Sequence, residues 1–317
     1  MKALVTRQIP EEALQIVRAA AEMEVWPEDR PIPREILLEK VADADGLLCM
    51  LTDKIDPELL DRGRKLRVVS QMAVGYDNID VAACAARGIP VGNTPGVLTD
   101  TTADLAFALL LATARRVVEA EQFLRTGQWK TWGPMLLTGQ DVHHATLGII
   151  GMGRIGYEMA RRAHGFQMSL LYTSTSRHEA AERDFGARYV SLDTLLAESD
   201  FVSIHTPLKP ETRHLLGAKE FARMKPTAIF INTARGPVVD QAALTEALRN
   251  RTIAAAGLDV FEIEPLPLDD PLLQLDNVVL VPHIGSASIA TRTKMAVLAA
   301  ENLAAGLQGR PLPHAVR

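Results

Sequence analysis

Short runs of Val, Ile and Leu alternate with longer amphipathic stretches from end to end of this 317-residue chain. That rhythm predicts strands joined by crossover helices in parallel sheets. In the first hundred residues the strand runs are KALVTR, MEVWP, GLLCML, LRVVSQM and IPVGN, with helix-like EEALQIVRAAA and REILLEKVA between them. A second, longer series runs TLGIIG, MSLLYT, ARYV, DFVSIHT, TAIFINTA, AAAGLDV and NVVLVPH. A helical stretch from about Asp100 to Arg125 separates the two series, and another from about Ser288 to Gln308 follows the second. The expectation is an α/β protein with two doubly wound parallel sheets, the first one smaller. If the last helix returns to the first domain, that domain is discontinuous, 1–98 plus 287–317, and 99–286 forms the other. Two crossings between domains suit hinge closure.

Composition narrows the function. With 47% hydrophobic and 23% charged residues, the chain builds an ordinary core. Its 34 Lys and Arg against 39 Asp and Glu leave a net charge of -5, so no general basic field exists to hold nucleic acid or anionic lipid. Small molecules are the expected partners. The start, MKALVTRQIPEEA, becomes charged too early for a secretory signal, and the expected location is the cytoplasm. The most apolar helix segment, LAFALLLATA, is well short of the roughly 20 residues of a membrane span and reads as a buried helix. Cys49 and Cys84 lack CxxC spacing, which leaves them as core residues with no metal site expected.

TLGIIGMGRIGYEMARRA places Gly151, Gly153 and Gly156 in GxGxxG spacing, directly after a strand and opening a helix. This is the Rossmann context: a tight turn at Gly151, backbone approach to a pyrophosphate at Gly153, close helix packing at Gly156. Arg154 and Ile155 would add N–H groups at the helix N-terminus. About 20 residues on, such folds usually carry a carboxylate that accepts from the adenosine ribose. Here the chain reads Thr173, Ser174, Thr175, Ser176, Arg177, with no acid before Glu179. Hydroxyls plus a guanidinium can hold a phosphate. The expectation is therefore NADP(H), with Ser174, Thr175 and Arg177 at the 2′-phosphate and NAD(H) also possible.

Parallel sheets gather ligand chemistry at the carboxyl ends of strands. The polar residues there are His205, Thr206 and Pro207; Asn232, Thr233, Ala234 and Arg235; Asp259, Glu262 and Glu264; His283 and Ser286; and, in the first domain, Val74, Gly75 and Asp77. Hydride transfer to a ketone needs a proton donor, a group that orients it and a cation for the substrate carboxylate. On physics alone His205 and His283 are equal candidates for the acid, and Asp259, Glu262 and Glu264 near equals for its partner.

Together GYDNID, NTPGVLTDTTADLAFALLLATAR, TLGIIGMGRIG, HTPL, INTARGPVVD, GLDVFEIEP and PHIGSAS resemble the D-isomer-specific 2-hydroxyacid dehydrogenase family, in its order and along essentially the whole chain. The resemblance implies a Rossmann domain and a smaller flavodoxin-like substrate domain. It implies His283 as general acid, Glu264 as the carboxylate that favours the charged imidazole, and Arg235 as the substrate-carboxylate ligand. It further implies carboxylate contacts at the N–H groups of Val74 and Gly75, a pocket contact at Ser286, and a nicotinamide contact at Asp259. Thr102, Thr206, Pro207, Thr233, Ala234, His283 and Gly285 are implied as other cofactor contacts, and His205 becomes a cofactor-side neighbour.

Within the family, the expectation is a member without the regulatory domain that many phosphoglycerate dehydrogenases carry; QMAVGYDN lacks the lysine of phosphite dehydrogenases, and Glu264 stands where formate dehydrogenases place Gln. LTDKID, MAVGYDNID and the Ser/Thr/Arg segment resemble glyoxylate and hydroxypyruvate reductases. Better-marked NADP-using members often carry two basic residues in that segment, and Thr175 stands in place of one. The implied activity is NADPH-dependent reduction of glyoxylate to glycolate or hydroxypyruvate to D-glycerate. The implied assembly is a homodimer built on the helix from Asp100, with Trp129 and Trp132 reaching toward a neighbouring subunit. Another D-2-hydroxy acid, or a nucleotide-sensing corepressor of the same fold, is the alternative.

Overall fold

A computed structural model describes every residue except the terminal Arg317, which closes the expected segment 287–317 and lies outside the described residues. Twelve strands form: β1 (Lys2–Val5), β2 (Glu22–Val25), β3 (Gly46–Cys49), β4 (Val68–Gln71), β5 (Val91–Gly92), β6 (Thr146–Ile150), β7 (Ser169–Thr173), β8 (Arg188–Tyr189), β9 (Phe201–Ile204), β10 (Ile229–Asn232), β11 (Ala255–Leu258) and β12 (Val278–Leu280). The α-helices are α1 (Glu11–Ala20), α2 (Arg34–Val41), α3 (Pro57–Arg62), α4 (Val81–Ala86), α5 (Thr99–Ala114), α6 (Val117–Arg125), α7 (Arg154–Gly165), α8 (Glu179–Phe185), α9 (Leu192–Glu198), α10 (Ala218–Phe221), α11 (Gln241–Arg249) and α12 (Ile289–Leu307). Each strand coincides with one of the twelve apolar runs of the sequence, β2 starting one residue before its run at Glu22, and every pairing between them is parallel. The chain divides into two compact units, Met1–Leu98 with the segment from Ser286 onward, and Thr99–Gly285.

The first unit is a five-stranded sheet in the order β2-β1-β3-β4-β5, the flavodoxin-like winding. Its strands are apolar on both faces because helices cover both. On one side α1 and α12 bury Ala13, Leu14, Val17, Ala296, Ala299 and Leu303 against Val5, Leu48 and Val68. On the other, Leu37, Val41, Leu59 and Leu60 pack on Leu4, Leu47 and Val69. Cys49 and Cys84 are free thiols in this second layer.

The second unit carries a seven-stranded sheet, β12-β11-β10-β9-β6-β7-β8, which is the Rossmann winding with one strand added. The strand order reverses between β6 and β9, and in such sheets the crevice at the carboxyl ends of those two strands is where ligands bind. LAFALLLATA is buried, as its composition demands: Ala106, Leu109 and Leu110 of α5 are core residues of this unit.

One element departs from the sequence expectation. The helix expected over about 100–125 is two helices, because Arg116 adopts a left-handed conformation (φ 53°). The Gly139–Gln140 segment runs against the end of α5: the Gln140 N–H donates to the Ala114 carbonyl at 2.8 Å, and a Cβ on Gly139 would lie 2.1 Å from that oxygen. A long-range hydrogen bond therefore takes the carbonyl that a continuing helix would use. Among the described residues no helix is long and apolar enough to cross a membrane, and no group of three or more His, Cys, Asp or Glu is placed to hold a metal.

Candidate active site

Gly151 ends β6 with φ of 94°, a conformation costly for any residue with a Cβ. A Cβ there would also meet the His205 carbonyl carbon at 2.9 Å, so this glycine lets the ends of β6 and β9 approach at the switch point. A Cβ on Gly156 would lie 2.2 Å from the Gly151 carbonyl, and hence α7 can start only if this position is glycine. Gly153 differs: nothing lies within 4 Å of where its Cβ would be. It is the N-cap of α7 and has no side chain to occupy the first-turn N–H groups, those of Arg154 and Ile155 among them. The Oγ1 atoms of Thr206, after β9, and Thr233, after β10, are buried and make no hydrogen bond within the protein. An open glycine cradle, an uncapped helix start and two buried hydroxyls at adjacent strand ends fit a dinucleotide. Pro207 follows Thr206, and its carbonyl accepts from the Thr212 hydroxyl at 2.7 Å, which ties down that loop.

The Ser174–Arg177 turn leaves β7 toward α8. Thr175 and Arg177 are exposed and Ser174 is half-buried, its carbonyl accepting from the Tyr189 hydroxyl at 3.1 Å. Arg177 is already engaged: its Nε and Nη2 donate to Glu182 Oε1 and Oε2 at 3.0 and 2.6 Å. Glu182 also accepts from the hydroxyl of Tyr172, the buried ring of β7, at 2.6 Å.

The loops after β10, β11 and β12 converge in the same unit. His283 follows β12 with φ of 51°, and its N–H donates to the Asp259 carbonyl at 2.9 Å. Its Nδ1 lies 2.7 Å from Glu264 Oε2, while Glu264 Oε1 accepts from the Phe261 N–H at 3.0 Å. Burial alone would lift the Glu264 pKa, but the hydrogen bond and charge of His283, the Phe261 N–H and the Arg235 charge together hold it below the ordinary value. Asp259 has a different task. Its two oxygens accept from the N–H groups of Ile284 (2.6 Å) and Gly285 (2.8 Å), so it clamps the turn that carries His283. Burial pushes Asp259 up to about 6 despite those bonds. Thr102 of α5 is buried, and a Cβ on Gly285 would come 3.4 Å from its Cγ2 and 3.0 Å from Asp259 Oδ2.

These contacts separate candidates that the sequence left level. Of the three carboxylates, Glu264 takes His283, Asp259 takes backbone, and Glu262 bonds His214 Nε2 at 2.7 Å and so belongs to another pair. Of the two histidines, His205 bonds the buried Ser203 hydroxyl through Nε2 at 2.9 Å, and burial lowers its pKa to about 4. That low value leaves the His205 ring uncharged at neutral pH.

Arg235 precedes the short 3-10 turn Gly236–Val238, and its Nη1 donates to the Ala234 carbonyl at 2.8 Å. Two residues to which the sequence assigned no role build this corner. Asn232 receives the Ala234 N–H on Oδ1 (2.9 Å) and donates from Nδ2 to the Arg235 carbonyl (3.1 Å), which fixes the loop across Thr233. Gly236 lies against the chain at Phe261, where a Cβ would be 1.9 Å from the carbonyl carbon. Asn232 stood out in the sequence only as one of the polar residues at a strand end, and Gly236 only by its place beside Arg235, because periodicity does not report long-range contact.

In the first unit the Val74 carbonyl accepts from Asn93 Nδ2 at 2.9 Å and the Gly75 carbonyl from Gln71 Nε2 at 3.0 Å. The Val74 carbonyl bond orients the peptide that carries the Gly75 N–H, and the peptide that carries the Val74 N–H is held by the Ala73 carbonyl, which accepts from the Thr94 N–H at 2.9 Å. Ser286 is half-buried two residues before Ser288, the N-cap of α12.

Comparison with known proteins agrees with this geometry. The model of the D-isomer specific 2-hydroxyacid dehydrogenase NAD binding domain matches residues 107–285. A glyoxylate reductase of Korarchaeum cryptofilum is 54% identical over 316 residues, 99% of this chain and 95% of that protein. One of Thermococcus litoralis is 52% identical over 319 residues, 99% of this chain and 96% of its own. Among solved structures, an NADPH-dependent glyoxylate/hydroxypyruvate reductase from Sinorhizobium meliloti in complex with NADP and malonate superposes with a TM-score of 0.86 at 35% identity, covering 99% of this chain and 96% of that one. With the Rossmann winding, the glycine cradle and the His283–Glu264 pair on one unit, the chain belongs to the D-isomer-specific 2-hydroxyacid dehydrogenase family.

Proposed function

We propose that this protein reduces small 2-keto acids, glyoxylate to glycolate and hydroxypyruvate to D-glycerate, and uses NADPH in preference to NADH. The observation that carries the reading is the 2.7 Å contact between His283 Nδ1 and Glu264 Oε2. An ionised carboxylate can only accept, so Nδ1 carries the proton that faces it and the opposite nitrogen, Nε2, is left to meet a substrate oxygen. The bound nicotinamide cofactor supplies the hydride. His283 Nε2 then gives its proton to the carbonyl oxygen, and the Glu264 charge stabilises the imidazolium before transfer. Arg235 binds the substrate carboxylate with a planar fork of donors, and its charge polarises the carbonyl. Val74 and Gly75 are assigned to carboxylate binding through their N–H groups, and Ser286 to the pocket wall. Asp259 and Thr102 are assigned to the nicotinamide end and Gly151, Gly153, Arg154, Ile155 and Gly156 to the pyrophosphate. Thr206, Pro207, Thr233, Ala234 and Gly285 are assigned to the cofactor groove. On this reading Thr99–Gly285 is the dinucleotide-binding domain and the other unit the substrate domain.

The names of the relatives support the substrate, and the NADP bound to the Sinorhizobium meliloti enzyme supports the cofactor. The turn at Ser174, Thr175 and Arg177 carries no acid of its own at the place where a ribose-binding carboxylate usually stands. Steady-state rates with glyoxylate, hydroxypyruvate, pyruvate and phenylpyruvate, each with NADPH and NADH, test the reading. We expect the highest kcat/KM for glyoxylate or hydroxypyruvate with NADPH. Tight cofactor binding without turnover of any 2-keto acid would instead mark a sensor.

A further inference from the structure

We propose that Glu182 moderates cofactor discrimination: it sets a fixed negative charge against Arg177, the guanidinium of the β7–α8 turn. The inference rests on the reading of that turn as the binding place of the cofactor's adenosine ribose. Three contacts hold the carboxylate still. Arg177 reaches both of its oxygens (3.0 and 2.6 Å), and the Tyr172 hydroxyl donates to Oε1 at 2.6 Å from a ring buried under β7. That hydroxyl in turn accepts the His178 N–H at 2.8 Å, so strand, turn and helix are tied at one point. The Arg177 bond, with that of Tyr172, holds the Glu182 pKa down at about 2, and the group is ionised at any working pH.

Arg177 gives Glu182 one edge of its fork, Nε and Nη2, and has further N–H donors for a second anion. A 2′-phosphate on that second edge carries nearly two negative charges and feels the Glu182 charge as repulsion, whereas a ribose hydroxyl is neutral and does not. Glu182 therefore aims the guanidinium while cancelling part of its attraction for the phosphate. The preference for NADPH survives but is narrower than Ser174, Thr175 and Arg177 alone would make it.

Glu182→Gln removes the charge and keeps a side-chain oxygen for Tyr172 and for Arg177 Nε, giving up the bond from Arg177 Nη2. Dissociation constants would be measured without substrate, by calorimetry or tryptophan fluorescence, for NADPH, NADH, adenosine 2′,5′-bisphosphate and AMP. For Glu182→Gln we expect the Kd of NADPH and of the bisphosphate to fall about threefold at low salt, with NADH and AMP unchanged. The gain should shrink at high salt, as the Debye length contracts from about 30 Å at 0.01 M to about 3 Å at 1 M. An unchanged or raised Kd for NADPH, or equal changes for NADPH and NADH, overturns the proposal. Arg177→Ala, measured in parallel, tells the two failures apart. Equal weakening of NADPH and NADH by Arg177→Ala removes the phosphate-site reading itself, whereas selective weakening of NADPH beside an inert Glu182→Gln removes only the role of Glu182.

Discussion

Gly236 and Phe261 touch backbone to backbone: a Cβ on Gly236 would lie 1.9 Å from both the carbonyl carbon and the oxygen of Phe261. That contact sets the loop bearing Arg235 against the loop bearing Glu264. It also explains why the Arg235 charge acts on Glu264, although 29 residues separate them. Gly236→Ala cannot be accommodated by a rotamer change, because the obstructing atoms are main chain. We expect a loss of about 1–3 kcal/mol in stability, the usual cost of overpacking, and a fall in kcat/KM as Arg235 and Glu264 shift apart. Thermal unfolding and steady-state kinetics on one preparation check both, and wild-type values in each would refute the packing argument.

His283 and Glu264 make a prediction in rate and pH together. His283→Ala should lower kcat roughly 100-fold or more if it is the proton donor. Glu264→Gln keeps the volume and removes the carboxylate that holds the Nδ1 proton in place, so kcat should fall while the Kd of the cofactor holds. At the acid end, the Glu264 pKa is held below its ordinary value, so the stability it contributes is present above that value and disappears as the pH falls through the lowered one. A near-normal kcat for His283→Ala would return His205 to contention.

For His205 the expected signature is in stability. Its pKa is about 4 in the fold against 6.5 for an ordinary histidine, so folding favours the neutral ring. Its contribution is therefore present above pH 6.5 and is lost as the pH drops toward and through 4. Replacing it by Gln should flatten the decline of the melting temperature over that interval and leave the alkaline limb of the rate profile in place. A displaced alkaline limb would mean that His205 takes part in proton transfer.

Helix α6 has no buried residue, and the loop beyond it exposes Trp132 and Met135, each 76% accessible. We propose that a second copy of the chain covers this surface. Sedimentation equilibrium should give a dimer for the wild type, and charge at Trp132 and Leu124 should shift it toward monomer. A monomeric wild type would end the assignment.

The fold was legible in the order of residues because strand and helix are local periodicities. Twelve apolar runs mark twelve strands, and GxGxxG marks the glycine-rich turn from β6 into α7. Long apolar strands need both faces covered, which makes the class follow from composition along the chain. The break at Arg116 was not legible, since its cause is the Gln140 N–H arriving from 24 residues further on.

The site divides along the same line. The residue types were readable at the strand ends: two histidines, three carboxylates, one arginine and a turn of hydroxyls without an acid. Which carboxylate meets which histidine was not, because Asp259, Glu262 and Glu264 are chemically near equals and only distance separates them. Tertiary structure gave Glu264 to His283, Asp259 to the turn at Ile284 and Gly285, and Glu262 to His214. It likewise showed Arg177 to be shared with Glu182, a partner five residues away that no pattern marks. Sequence by itself decides what chemistry each strand end can offer, since that is a property of side chains and local backbone. Pairing among those offers depends on through-space distances of a few ångströms, and those exist only once the chain has folded.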